Sequence, residues 1–135
     1  MKLSGTYTVG KWDETPYDVI EDRMKVTRAS VEYAFSGDIE GTAKVEYQMF
    51  YKSFDDKDPH KAHAEYVGIM RIIGKLKGKS GSFAVKDNGV YSSGVAKSGL
   101  SIVPGSGTGE LSEIVGTGAY KADQSGWIWE FDVSF

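Results

Sequence analysis

Among the side chains of this sequence that can take part in chemistry, Asp87 stands out by its spacing. Phe83, Val85 and Asp87 lie two residues apart, so in a β-strand all three project from the same side. On an interior side the carboxyl group loses water. Desolvation raises its pKa and suits it to act as an acid or a base. The alternative is that Asp87-Asn88-Gly89 marks a strand end, with Asp87 in water at the mouth of the fold. Both readings stay open.

The same period places Tyr33, Tyr47, Tyr51, Tyr66, Met70, Phe83, Trp127, Trp129 and Phe131 on inward faces. Buried tyrosine hydroxyls and tryptophan N–H groups need partners. They either satisfy one another in a packed aromatic core or offer hydrogen bonds to a small guest in an apolar pocket.

Other patterns carry little chemistry. His60 and His63 lie in an acidic loop, DDKDPHKAH, without a third fixed ligand, so no metal site is expected. Gly74 to Ser80 (GKLKGKS) looks like a phosphate loop but has three residues, not four, before Gly-Lys-Ser, and strands flank it where a helix should follow. Pro104 to Gly109 is glycine-rich but lacks the lysine of a phosphate loop. There is no G-x-S-x-G elbow, and the only two histidines sit together in one loop, which leaves a Ser-His-Asp triad without support. No cofactor is implied.

The elements that must position these residues are strands. Seventeen glycines and three prolines accompany many Val, Ile, Tyr, Phe, Trp and Thr residues, the composition of strands separated by turns. Trp127, Trp129, Phe131, Val133 and Phe135 alternate with Ile128, Glu130, Asp132 and Ser134. Ile39, Gly41, Ala43, Val45, Tyr47, Met49 and Tyr51 alternate with a mostly polar set. The pattern predicts eight strands, at about 3–12, 23–35, 39–54, 63–76, 80–88, 95–103, 115–122 and 127–135. Asp13–Asp22 and Asp55–Lys61 are read as loops, and Thr108–Ile114 as at most one helical turn. With no long helix to cover the apolar faces, the sheet must pack on another sheet or curl on itself, and curling also removes exposed edges. Glycines at 41, 68 and 74 ease such curling. The expectation is an all-β, closed antiparallel β-barrel of about eight strands forming one domain over residues 1–135. A barrel of that size has room for packed side chains or one small ligand.

Two hairpins can be registered. A Gly78-Lys79 turn of type II′ sets Gly74 opposite Phe83, Ile72 opposite Val85 and Met70 opposite Asp87. A three-residue turn at Ser36-Gly37-Asp38 sets Phe35 beside Ile39, Tyr33 beside Gly41 and Val31 beside Ala43, keeping apolar groups on one face. The first register leaves Val67, Ile69, Arg71 and Ile73 on the outer face, with Arg71 opposite Lys86. So apolar an outer face predicts a subunit interface rimmed by Arg71, in a homo-oligomer such as a dimer or trimer, unless a loop or the N-terminal segment covers it.

Composition narrows the partners. A net charge of −3 with 26% charged residues describes a globular domain, and the sixteen Lys and Arg residues form no stripe that would hold phosphates, so nucleic acid is not expected. There is no cysteine, hence no disulfide or thiolate chemistry. Met1–Val9 lacks the apolar run of a signal peptide, and no apolar segment approaches the ~20 residues needed to cross a bilayer. A cytoplasmic protein without membrane association is expected.

Four stretches carry a resemblance: Lys11-Trp12-Asp13-Glu14 with Pro16-Tyr17, Ser36 to Gly41 (SGDIEG), Gly78 to Phe83 (GKSGSF) and Val103 to Leu111 (VPGSGTGEL). Together they resemble a bacterial family of unknown function with a barrel similar to allene oxide cyclase. GSGTGEL followed by Gly116-Thr117-Gly118 also looks like the glycine-rich segment of allene oxide cyclase and dirigent barrels. The resemblance implies an allene-oxide-cyclase-like barrel but no catalytic residue. It implies an acid and an imidazole at the positions of Met70 and Asp87, a pair this chain lacks. The leading expectation is a barrel that binds a small hydrophobic or amphipathic molecule. An isomerase or cyclase similar to allene oxide cyclase is the alternative, in which an apolar pocket folds a flexible substrate and one carboxylate steers charge. A structural barrel acting through its oligomer is the third.

Overall fold

Period-two alternation of apolar and polar residues runs through most of the chain, and the strands follow it. The computed structural model describes residues 1–135 and contains no α-helix. Nine strands occur: β1 (Lys2–Glu21), β2 (Met24–Gly37), β3 (Ile39–Ser53), β4 (His63–Leu76), β5 (Lys79–Ser92), β6 (Val95–Ile102), β7 (Thr108–Gly109), β8 (Val115–Asp123) and β9 (Gly126–Ser134). One 3-10 turn, Pro59–Lys61, lies between β3 and β4. No helix is long and apolar enough to cross a membrane.

All pairings are antiparallel, and hydrogen bonding runs from β1 through β2, β3, β4, β5, β6, β8 and β9 back to β1. The sheet is thus a ring of eight strands, with the two-residue β7 attached to β5 by Gly81–Gly109 and Ser82–Thr108. Twenty-six buried apolar residues form one connected cluster on the inner side.

Both hairpin registers differ from expectation by two residues. The β4–β5 turn is Lys77-Gly78, closed by Leu76 and Lys79, with φ of +50° and +83° at the two central residues, as a type I′ turn requires. Asp38 holds Lys77 in that conformation, accepting its backbone N–H at 3.1 Å on the main-chain carbonyl and its ammonium at 3.2 Å on the carboxylate. Gly74 therefore faces Gly81, Ile72 faces Phe83, Met70 faces Val85, and Asp87 faces Gly68 instead of Met70. Arg71 faces Ala84, and it is Ile69 that faces Lys86. Across β2 and β3, Phe35 faces Gly41, Tyr33 faces Ala43 and Val31 faces Val45. A slip of two leaves every side chain on its assigned face, because the side-chain period is also two.

Two segments expected to be irregular are strand. Asp13–Glu21 continues β1 and pairs with β2 as far as Glu21–Met24, through two irregularities, at Pro16/Asp18 and Val19/Glu21, that absorb its extra residues. Gly89–Ser92 continues β5. Residues 108–114 form β7 and a turn, not a helix.

One end of the ring is filled. The connection from β6 to β8 folds inward there, burying Leu111 and Ile114 at 1% and 0% exposure. A row of side-chain staples holds it. Ser106 Oγ accepts from Ala84 N at 3.0 Å, Thr108 Oγ1 accepts from Ser82 N at 3.1 Å, and Glu110 Oε1 accepts from Ser80 N at 3.2 Å. Replacing Leu111 by Ala leaves a cavity where the plug was and should cost about 2–5 kcal/mol in denaturant unfolding. A loss below about 1 kcal/mol would mean that the ring end closes without it.

Candidate functional site

The opposite half of the interior is not filled. A cavity of about 150 Å³ lies there, walled by six tyrosines, with Trp12 and Trp127 among the residues at its edge. Those two tryptophans are 44% and 39% exposed, so this end communicates with solvent.

Alternation along β2, β3, β4 and β8 supplies Tyr33, Tyr47, Tyr66 and Tyr120, whose hydroxyls converge. Tyr47 donates to Asp87 Oδ2 at 2.6 Å. With its proton committed there, its oxygen accepts from Tyr33 at 3.1 Å, and Tyr120 lies 2.9 Å away. Tyr120 donates to Tyr66 at 3.2 Å, and Tyr66 meets Ser98 Oγ. Asp87 therefore ends a chain of buried hydroxyls. It is 1% exposed, and its Oδ1 has no hydrogen-bond partner. Glycines opposite and beside it make the space. A Cβ on Gly68 would come within 2.8 Å of the Tyr47 ring, and one on Gly89 within 2.6 Å of the Tyr66 hydroxyl.

Burial pushes the Asp87 carboxyl up to about 6, and the hydrogen bond from Tyr47, then the nearby Ser98 and Tyr120 hydroxyls, oppose that rise. Burial first, and then neighbouring tyrosines and Asp87, hold the Tyr47 and Tyr120 hydroxyls above the ordinary tyrosine value, so both remain protonated at neutral pH. The arrangement can store a proton and pass it along hydroxyls. The strand-end reading of Asp87 is overturned, because β5 continues to Ser92 and the carboxyl is enclosed.

A second carboxylate lies toward the open end. Val9 pairs with Tyr33 and Lys11 with Glu32, so Gly10 is an extra residue on β1. Beyond this bulge the inward positions of β1 change from odd to even. Trp12 and Glu14 then face Val31 and Ala29 on the inner side. Glu14 Oε2 accepts from Thr27 Oγ1 and from the Tyr51 hydroxyl, each at 2.6 Å, and its Oε1 accepts from Trp12 Nε1 at 3.0 Å.

Of the residues assigned inward from sequence, Tyr33, Tyr47, Tyr66 and Trp127 line the cavity. Asp87 stands behind Tyr47, and Tyr51 is engaged by Glu14. Met70, Phe83, Trp129 and Phe131 belong to the filled half, where Phe83 meets Phe131 edge-on at 6.2 Å and Trp129 Nε1 donates to the Thr6 carbonyl. Sequence reasoning missed Tyr7, Tyr91 and Tyr120, all at the inward period, and also Trp12 and Glu14 beyond the bulge. On the outer face Val67, Ile69 and Ile73 are 55%, 53% and 45% exposed, and Arg71 donates to Ser82 Oγ at 3.0 Å. Neither a loop nor the N-terminal segment covers them.

A family model described as "Protein of unknown function (DUF3224)" matches residues 3–134. The chain belongs to this family. It is similar to a crystal structure of a protein of unknown function from the same family, from Shewanella oneidensis MR-1. The two are 25% identical with a TM-score of 0.75, over all of this chain and 97% of that one. No curated protein matches the chain. In this DUF3224 chain the stretches behind the sequence resemblance divide by role. GSGTGEL and GKSGSF staple each other at the plugged end, and Asp38 of SGDIEG ties the β4–β5 turn to Ser4 N at 2.9 Å. Only KWDE reaches the cavity, through Trp12, to which Glu14 is bonded.

NMR titration of the Asp87 carboxyl should give a midpoint near 6, moving further up in Tyr47→Phe, which removes the hydrogen bond that favours the charged form. A midpoint at the ordinary 3.8 would contradict the enclosed geometry. The folded-state value lies above the unfolded one, so the contribution of this carboxyl to stability is fully present below 3.8 and is lost as pH rises through about 6. The loss is about 3 kcal/mol, at ~1.4 kcal/mol per pH unit. Melting curves of Asp87→Asn should lack this dependence, and the variant should therefore gain on the natural protein between pH 4 and pH 8.

Proposed function

We propose that this ring of strands is a closed β-barrel similar to that of allene oxide cyclase, and that its interior binds a small hydrophobic or amphipathic molecule. The observation that carries the reading is the aromatic cavity, plugged at one end by Leu111 and Ile114 and reaching solvent past Trp12 and Trp127 at the other. A volume of about 150 Å³ limits the guest. Drug-sized sites start at roughly 300 Å³. An apolar cavity of the present size takes up a molecule about as large as benzene. Long acyl chains are too large.

Asp87 favours a second reading, an isomerase or cyclase in which the carboxylate steers charge. Against it, Asp87 does not line the cavity and reaches it only through the Tyr47 and Tyr120 hydroxyls. We further propose that the exposed Val67, Ile69 and Ile73 form a homo-oligomer contact in a dimer or trimer.

Titrating the protein with phenol and with dodecanoate while following tryptophan emission tests the binding reading. Phenol should quench or shift the signal saturably and dodecanoate should not, whereas indifference to phenol and to other benzene-sized molecules would remove it. Light scattering at high concentration should show an assembly that Ile69→Lys dissociates. A monomer at every concentration would remove the proposed contact.

A further inference from the structure

We propose that the cavity recognises a small organic cation, of the alkylated or quaternary ammonium class, through a box of aromatic faces backed by carboxylates. This inference rests on the binding reading and names the chemistry of its guest.

The walls supply the first argument. Tyr7 meets Tyr33 at 85° and Tyr120 at 67°, with ring centroids 5.3 and 5.4 Å apart, and Tyr47 meets Tyr66 at 72° and 5.1 Å. Rings at such steep angles form adjoining walls of a box. Each aromatic face carries the negative part of the ring quadrupole, and a cation within about 6 Å of several faces gains from all of them. Tyr47 donates its hydrogen bond to a carboxylate, which pushes further electron density into its ring.

Charge supplies the second. No lysine, arginine or histidine lines the cavity, whereas acids stand behind its walls on two sides. Tyr47 is bonded to Asp87 at 2.6 Å, and Trp12 is bonded to Glu14 at 3.0 Å. Lys25 lies outside the lining, with its ammonium 4.1 Å from the Phe54 ring centre and 5.0 Å from that of Tyr51, so rings at this end already hold one cation by their faces.

The third argument is the unpartnered Asp87 Oδ1, enclosed with the rest of a carboxylate that has no cation beside it. Such an oxygen is costly to keep and needs a reason. A cationic guest behind the tyrosine wall lowers that cost by Coulomb attraction through a medium of low dielectric. A neutral guest leaves the cost unchanged, and an anion raises it.

Calorimetric titration of the full chain with choline and with its uncharged carbon isostere, 3,3-dimethyl-1-butanol, separates the alternatives. Choline should bind at least tenfold more tightly than the isostere. Asp87→Asn should remove most of that preference, and Tyr91→Leu, which takes away one rim ring and leaves the hydroxyl chain intact, should weaken choline about threefold to tenfold. Equal or tighter binding of the alcohol overturns the cation assignment and leaves the binding reading standing. No binding of either probe overturns both. A choline preference that neither variant alters places the guest elsewhere and overturns the proposal.

Discussion

Five residue pairs between β1 and β9, from Lys2–Asp132 to Thr6–Ile128, join the first strand to the last. Once that seam is made, the ring of strands is joined all the way round, and alternate side chains turn toward one shared interior. What the chain can do inside then depends on which residues fall on the inward parity and on how each end is finished. The connection between β6 and β8 fills one end with Leu111 and Ile114. At the other end no chain segment fills the space, and tyrosines and tryptophans surround it.

Much of this was legible as alternation. Strands of period two gave their faces away even where the pairing was misjudged, since both hairpins slipped by two residues and no side chain changed sides. Tyr33, Tyr47, Tyr66 and Asp87 are inward for that reason alone. Gly10 is a different case. One unpaired residue reverses the parity of β1 from Lys11 as far as the next irregularity at Pro16/Asp18, and an isolated glycine is the only local sign of the skip. Trp12 and Glu14 were invisible as site residues because of that single insertion. The division of the interior into filled and hollow halves was also hidden, because it depends on where the 103–114 connection folds.

Asp87 shows how far a pattern can go and where it stops. Its side of the strand followed from Phe83 and Val85, but its protonation depends on partners from β3, β6 and β8, namely Tyr47, Ser98 and Tyr120. Those strands are far apart in sequence and meet only through the ring. Gly68, directly across the ladder, has no side chain to fill the space that the Tyr47 ring occupies. The position of a charge is thus local information, and its energy is topological.

The β1–β9 seam also governs how the chain reaches this state. Its pairs join residues more than 120 positions apart, as in Leu3 with Phe131. Such long-range closure is slow, because the loop entropy is lost before the contacts form. During synthesis, β1 and its neighbours must wait with an open edge and an uncovered apolar face until β9 has left the ribosome. The seam that joins the ring in the finished molecule makes its nascent form depend on folding late and being shielded until then.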